Sequence, residues 1–131
     1  MIESIKHIFI EETSRDLHQV NTELQQVLSE GISDEVLEKI FRTMHTIKGS
    51  APMFGYQCIA EIAVPVAETY RELCCGKLAM NNQIIENTRH IVKLIQELLK
   101  KDEHLPANDE EKQLLVKFFT DINRLNDRTN D

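Results

Sequence analysis

Tryptophan is absent from these 131 residues, and four glycines with three prolines leave little material for tight turns. A β-sandwich needs many more turn residues, and no segment shows the period-two alternation of strands. Long apolar runs are also missing: nothing approaches the roughly 18 consecutive apolar residues that mark a membrane span. The opening residues, Met1 to His7, carry charge where a secretory signal would place its apolar core. Cysteine occurs only as Cys58, Cys74 and Cys75, an odd count with no Cys-x-x-Cys and no Cys/His metal spacing. Neighbouring cysteines rarely bridge each other, so reduced core or surface thiols in a cytoplasmic protein are expected. Basic charge is short as well. Fifteen Lys and Arg against 22 Asp and Glu give a net charge of −7. Such a surface repels a polyphosphate backbone and argues against a nucleic-acid partner.

What is present suits one packed helical domain: 41% hydrophobic and 28% charged residues. Apolar residues step by three and four along five segments. The first runs from about Ile2 to Ser29 (Ile5, Phe9, Leu17, Val20, Leu24, Val27 and Leu28 inward) and Gly31 ends it. Ser33 or Asp34 caps the second, whose face is Val36, Leu37, Ile40, Phe41, Met44 and Ile47. It should stop by Ser50 or Ala51, ahead of Pro52. The third, Tyr56 to about Cys75, turns Ile59, Ile62, Ala63, Val66, Tyr70 and Leu73 inward, is expected to kink at Pro65, and closes at Gly76. Asn81 or Asn82 caps a fourth helix through Lys101, with Ile84, Ile85, Thr88, Ile91, Val92, Ile95, Leu98 and Leu99 inward. Pro106 and Asn108 open a fifth, Asn108 and Glu111 standing as in a capping box. Its expected buried face is Leu114, Leu115, Phe118, Phe119, Ile122 and Leu125, followed by a polar, frayed tail from Asn126. The fold expected is all-α, an antiparallel four-helix bundle over residues 1–105 with an additional C-terminal helix and polar tail over 106–131.

Enzyme signatures are missing: there is no phosphate-binding GxxxxGK[ST] or GxGxxG loop, no HExxH and no Gly-x-Ser-x-Gly elbow. The acidic residues are scattered as solvated helix faces require. His7, His18, His90 and His104 sit in separate segments, without partners four residues on, and read as surface or boundary residues. His45 is different. At about 100° per residue it falls roughly 120° from the centre of the second helix's apolar face, in one row with Phe41 and Gly49. Lys48 lies one turn on. An exposed imidazole is a nucleophile that can be neutral at physiological pH and form covalent intermediates. The ammonium can offset a phosphoryl group's charge, and a glycine leaves room for another protein's active site. Geometry alone leaves open the plainer reading, in which Gly49 ends the helix and His45 merely faces solvent.

The segment His45-Thr46-Ile47-Lys48-Gly49-Ser50-Ala51, followed by Phe54-Gly55-Tyr56, closely resembles the phosphoacceptor motif of histidine-containing phosphotransfer (HPt) domains, His-x-x-Lys-Gly with a small pair and a Phe-Gly turn. The resemblance covers roughly residues 5 to 100. It implies a phosphocarrier with no cofactor, and no catalytic nucleotide or metal site of its own. His45 would take a phosphoryl group on Nε2 and exchange it with receiver-domain aspartates. Lys48 would be the charge partner, and Gly49 would give the partner clearance. Response-regulator receiver domains, a sensor histidine kinase, or both, would be its partners, met by the chain as a monomer. Phe41, Arg42 and Ser50 are the candidate docking residues of the second helix.

Three departures qualify the resemblance. Pro52 stands where many members have glycine, and Pro65 is unusual in the third helix. Phosphoacceptor domains of chemotaxis kinases also carry a third-helix glutamate bonded to the histidine, with a second histidine nearby. Counting from Phe54-Gly55, those positions here are Ala67 and Val64, with Glu68 one residue late, about 100° round the helix. This last departure weakens the chemotaxis-kinase reading and favours a receiver-facing shuttle. The alternatives are the phosphoacceptor domain of a larger hybrid or chemotaxis-type kinase, and a helical docking module that carries no phosphate.

Overall fold

The computed structural model describes residues 2–101 and 109–129. Among them are five α-helices and one 3₁₀ turn, and no strand: α1 (Ile2–Glu30), α2 (Asp34–Ser50), the turn Ala51–Phe54, α3 (Gln57–Cys74), α4 (Asn82–Lys101) and α5 (Glu110–Thr129). None of these helices is long and apolar enough to cross a membrane.

The helix ends follow from local chemistry. Gly31 takes φ +86° and its amide bonds the Val27 carbonyl at 2.9 Å, which closes α1. The Ser33 hydroxyl accepts the Val36 amide and caps α2. Asn81 does the same for Ile84 at 2.8 Å at the start of α4. At α5 the cap is Asp109, whose carboxylate accepts the Lys112 amide at 2.9 Å. Pro106 and Asn108, and with them the expected box to Glu111, lie outside the described residues. The frayed tail is corrected: α5 continues as helix to Thr129.

Antiparallel packing is visible in the pairs that cross between helices. Lys39 on α2 meets Glu23 on α1 at 2.9 Å, while Phe9 near the start of α1 stacks on Phe54 just past the end of α2. The Tyr70 hydroxyl of α3 donates to Thr88 Oγ1 of α4 at 2.7 Å, because the single Thr88 proton is engaged with the Ile84 carbonyl. The core runs through all five helices, with Leu17, Val20, Leu24, Ile40, Met44, Ile59, Ile62, Ile91, Ile95 and Phe119 buried. Burying each such side chain contributes about 1.5–3 kcal/mol before chain entropy is counted.

The fifth helix is not a loose appendage. It lies along α3 and runs in the same direction: Lys112 reaches Glu61 at 2.7 Å, and Asn123 meets Thr69 about two turns further along α3 and three along α5. Pro65 has no amide to give to the helix ladder, yet α3 runs through it as one helix. The Asn123 side chain bonds the Pro65 carbonyl through its amide at 3.1 Å, and its Oδ1 lies 2.9 Å from the Thr69 hydroxyl. Because α5 packs mainly against this one helix, it buries a narrow strip. Leu115 and Phe119 are buried and Phe118 and Ile122 half-buried, but Leu114 (68% exposed) and Leu125 (60%) face solvent, against expectation. Lys112 fills part of the strip instead, its stem buried and its ammonium on Glu61. Ile5 and Leu28 of α1 are likewise exposed rather than inward. They lie near the ends of α1, which is 29 residues long beside the 17 of α2, and a stripe buries only where a neighbour reaches it.

Candidate functional site

The second helix carries its apolar face into the bundle through Leu37, Ile40, Met44 and Ile47. That face orients the rest. Val36 and Phe41 stand half-buried at its edge, and His45, Thr46, Lys48 and Gly49 are exposed on the far side. The His45 imidazole stacks on the Phe41 ring, centroids 5.6 Å apart and planes inclined by 29°. Phe41 and His45 are one turn apart, so the ring forms a platform under the imidazole and limits its rotamers.

No hydrogen bond or ion pair joins His45 to any other described residue, and the Lys48 ammonium has none either. Both groups therefore stay available to something outside the chain. Arg42, exposed one turn before His45, is held by Glu38. Ser50, half-buried, ends the helix.

Gly49 separates two readings. A terminating glycine would sit at the helix end with positive φ. Instead α2 continues through Gly49 to Ser50, the Ala51 amide still bonds the Ile47 carbonyl, and the left-handed residue is Gly55, at φ +87°. Pro52 is accommodated in the first turn of the 3₁₀ segment, where a missing amide costs little. A Cβ built on Gly49 would meet nothing within 4 Å. The glycine thus forgoes up to about 1 kcal/mol of helix propensity relative to Ala without any packing need inside the chain.

Two neighbouring features escaped sequence reasoning. Asp16 of α1 shares a groove with Lys39, Arg42, Thr43 and Thr46 of α2, the last of these next to His45 in the chain. Beside the end of α2, Met53 is 76% exposed in the 3₁₀ turn. No single-helix pattern could have found either, since each depends on how two elements are set against each other.

On the third helix Ala67 is buried and Val64 exposed, while Glu68 is bound to Arg71. No third-helix carboxylate or imidazole bonds His45. The remaining histidines stand apart: His7 Nε2 lies 2.9 Å from the Glu11 carboxylate on an exposed face, so it does have a partner four residues on. His18 and His90 are exposed, and His104 lies outside the described residues. Among the described residues no three His, Cys, Asp or Glu side chains gather to hold a metal ion.

Comparison with known proteins adds a family match. The family model for the Hpt domain matches residues 4–103. Two curated relatives, each named chemotaxis protein CheA, come from Listeria monocytogenes serovar 1/2a and Listeria innocua serovar 6a. Each is 24% identical over 102 residues, which is 75% of this chain but 16% of the relative. The chain spans about one sixth of the length of the curated relatives it matches.

Proposed function

The chain belongs to the Hpt domain family, and from that premise we propose that it is a histidine phosphotransfer module of a two-component phosphorelay, with His45 as phosphoacceptor. The observation that carries this reading is the exposed, unpaired imidazole of His45 on its Phe41 platform, one turn from an unpaired ammonium and an uncrowded glycine.

Each residue has a part in the chemistry. The neutral imidazole attacks the phosphorus of a receiver's aspartyl phosphate through the lone pair of Nε2, and Nδ1 keeps its proton. An N–P bond forms as the acyl P–O bond breaks, and the aspartate leaves as carboxylate. Acyl phosphate is a good leaving system, so the chain has to supply position and charge neutralisation rather than a base. Lys48 provides a mobile point charge for a group that brings nearly two negative charges at neutral pH. Gly49 leaves the approach open for a receiver's acidic pocket. Phe41, Arg42 and Ser50, with Asp16 across the groove, line the surface that a receiver would cover.

A second reading draws on the relatives, whose name places them in chemotaxis: this chain would be the phosphoacceptor part of a longer protein of that kind. The exposed Val64 and buried Ala67 weigh against it, since neither can orient the imidazole as a third-helix glutamate would. Exchange with receivers is the better supported role.

The test is direct. Receiver domains from the same genome are charged with acetyl phosphate, mixed with the protein, and resolved on phosphate-affinity gels beside His45→Gln. The expected result is rapid, acid-labile and base-stable phosphorylation of the wild type and none of the variant. Binding without transfer across every receiver would favour a docking module.

A further inference from the structure

Two thiols stand side by side in solvent at the end of α3. Cys74 is the last residue of the helix and Cys75 its C-cap, and both are exposed. Their backbone is held firmly: Gly76 takes φ +75° and bonds the Leu73 carbonyl at 3.2 Å, and the Lys77 amide bonds the Glu72 carbonyl at 3.0 Å. Together the thiols line one side of a groove of about 410 Å³. The facing wall is α2, with Glu38, Phe41 and Arg42. Phe41 is the same ring on which His45 stacks, so the thiol groove and the imidazole share a wall.

We propose, resting on the phosphocarrier reading, that Cys75 is a thiol–disulfide exchange site, and that a mixed disulfide formed there with a low-molecular-weight thiol blocks a receiver's access to His45.

In the exchange, the Cys75 thiolate attacks one sulfur of a small disulfide, RS–SR. That S–S bond breaks, one RS⁻ leaves and takes up the proton Cys75 gave up, and Cys75–S–S–R remains. The small disulfide is reduced at one sulfur while Cys75 is oxidised. The geometry favours persistence of this product. Adjacent Cα atoms lie about 3.8 Å apart across a trans peptide, short of the roughly 4.4 Å at which disulfides normally begin. Cys74 therefore cannot expel the adduct by bridging to Cys75 without distorting the helix end, and the third thiol, Cys58, is buried. Burial, then the neighbouring Cys75 and the carboxylates of Glu38 and Asp34, push the Cys74 thiol up, so less of it is thiolate.

The reach is sufficient. A typical protein interface covers about 800 Å² on each partner, a disc of about 16 Å radius. A receiver centred on His45 must pass over Phe41, whose ring centroid is 5.6 Å from that of the imidazole. A tripeptide on Cys75 would sit in the groove that Phe41 walls, on the side of the ring such a receiver has to cover.

The probe is oxidised glutathione. Intact-mass and peptide-mapping measurements should find one glutathionyl group on Cys75, absent from Cys75→Ser and retained in Cys74→Ser. Transfer from the fastest acetyl-phosphate-charged receiver should slow at least tenfold in the adduct and recover with dithiothreitol, while Cys75→Ser responds to neither reagent. An adduct confined to Cys74 or Cys58, no adduct, or an adduct that transfers at the unmodified rate would overturn the proposal. Unmodified protein that accepts phosphate from no receiver would overturn the phosphocarrier reading and the blocking effect with it, and the mass measurement would still report the thiol chemistry separately.

Discussion

The Phe41 ring lies against the His45 imidazole at 5.6 Å between centroids, and no hydrogen bond or ion pair to a described residue holds that imidazole. Aromatic pairs of this kind contribute about 0.5–1.5 kcal/mol beyond buried area. In Phe41→Ala the imidazole should sample more rotamers, and phosphotransfer should slow by roughly two- to tenfold, the kinetic equivalent of that contact. Phe41→Leu, which keeps the apolar contact and loses the ring, should fall between. Quench-flow transfer rates check this, with helicity by circular dichroism as the control; equal rates in all three proteins would show that the platform does not matter.

Lys48 lies one turn beyond His45 and is not engaged by any described side chain. Lys48→Ala should lower transfer or the equilibrium level of phosphohistidine by about two- to fivefold, which is the range of one exposed ion pair. Lys48→Glu should lower it further. Because solvent-exposed charges are screened, the difference between wild type and variants should shrink as salt is raised from about 0.05 M to 1 M. A salt-independent deficit would instead indicate a steric role.

Gly49 offers opposed outcomes in one position. Nothing stands within 4 Å of where an added methyl group would sit, and the backbone is right-handed helix. Gly49→Ala should therefore raise stability by up to about 1 kcal/mol, readable as a higher melting temperature. Gly49→Gln should fold equally well but slow receiver-driven phosphorylation by about tenfold or more, because a side chain there stands in the approach to Nε2. Unimpaired transfer by the Gln variant would remove the clearance role.

Tyr70 should contribute to the pH dependence of stability in the alkaline range. Its hydroxyl is buried and donates to Thr88, and burial raises its ionisation well above the ordinary tyrosine range. The unfolded chain releases this proton near pH 10, while the native state retains it. Above about pH 10 the native state thus binds more protons than the unfolded state, and stability falls as pH rises, by up to about 1.4 kcal/mol per pH unit from this group. Tyr70→Phe should cost about 1 kcal/mol at neutral pH, since Thr88 keeps its own bond to Ile84. The variant should also lose that part of the alkaline slope. Thermal melts from pH 8 to pH 11 on both proteins measure the two effects together.

Helical periodicity made much of this molecule legible before any tertiary structure. Every residue assigned inward on the third and fourth segments is buried, and Gly31, Ser33, Asn81 and Gly76 act at the helix ends as local chemistry requires. Burial and capping of this kind depend on residues a few positions apart, so a linear pattern contains them. The exposed side of His45 was legible for the same reason: a single helix with one strong apolar face leaves no other place for it.

What the pattern left undecided was everything that needs a second element to be placed. Leu114, Leu125, Ile5 and Leu28 continue apolar stripes, yet they face solvent because no neighbour reaches them. Pro65 was legible as a proline inside the third helix, but not that the Asn123 side chain of α5, far along the chain, bonds its carbonyl. The groove that sets Cys74 and Cys75 against Phe41 likewise exists only once α2 and α3 are packed together. The sequence by itself determined the helices, their ends and the side of α2 on which His45 stands, because propensity and periodicity act within one segment. Only the tertiary structure decided which apolar stripes are covered, which groups stay unpaired around the imidazole, and which thiols lie beside it, because those depend on distances between segments.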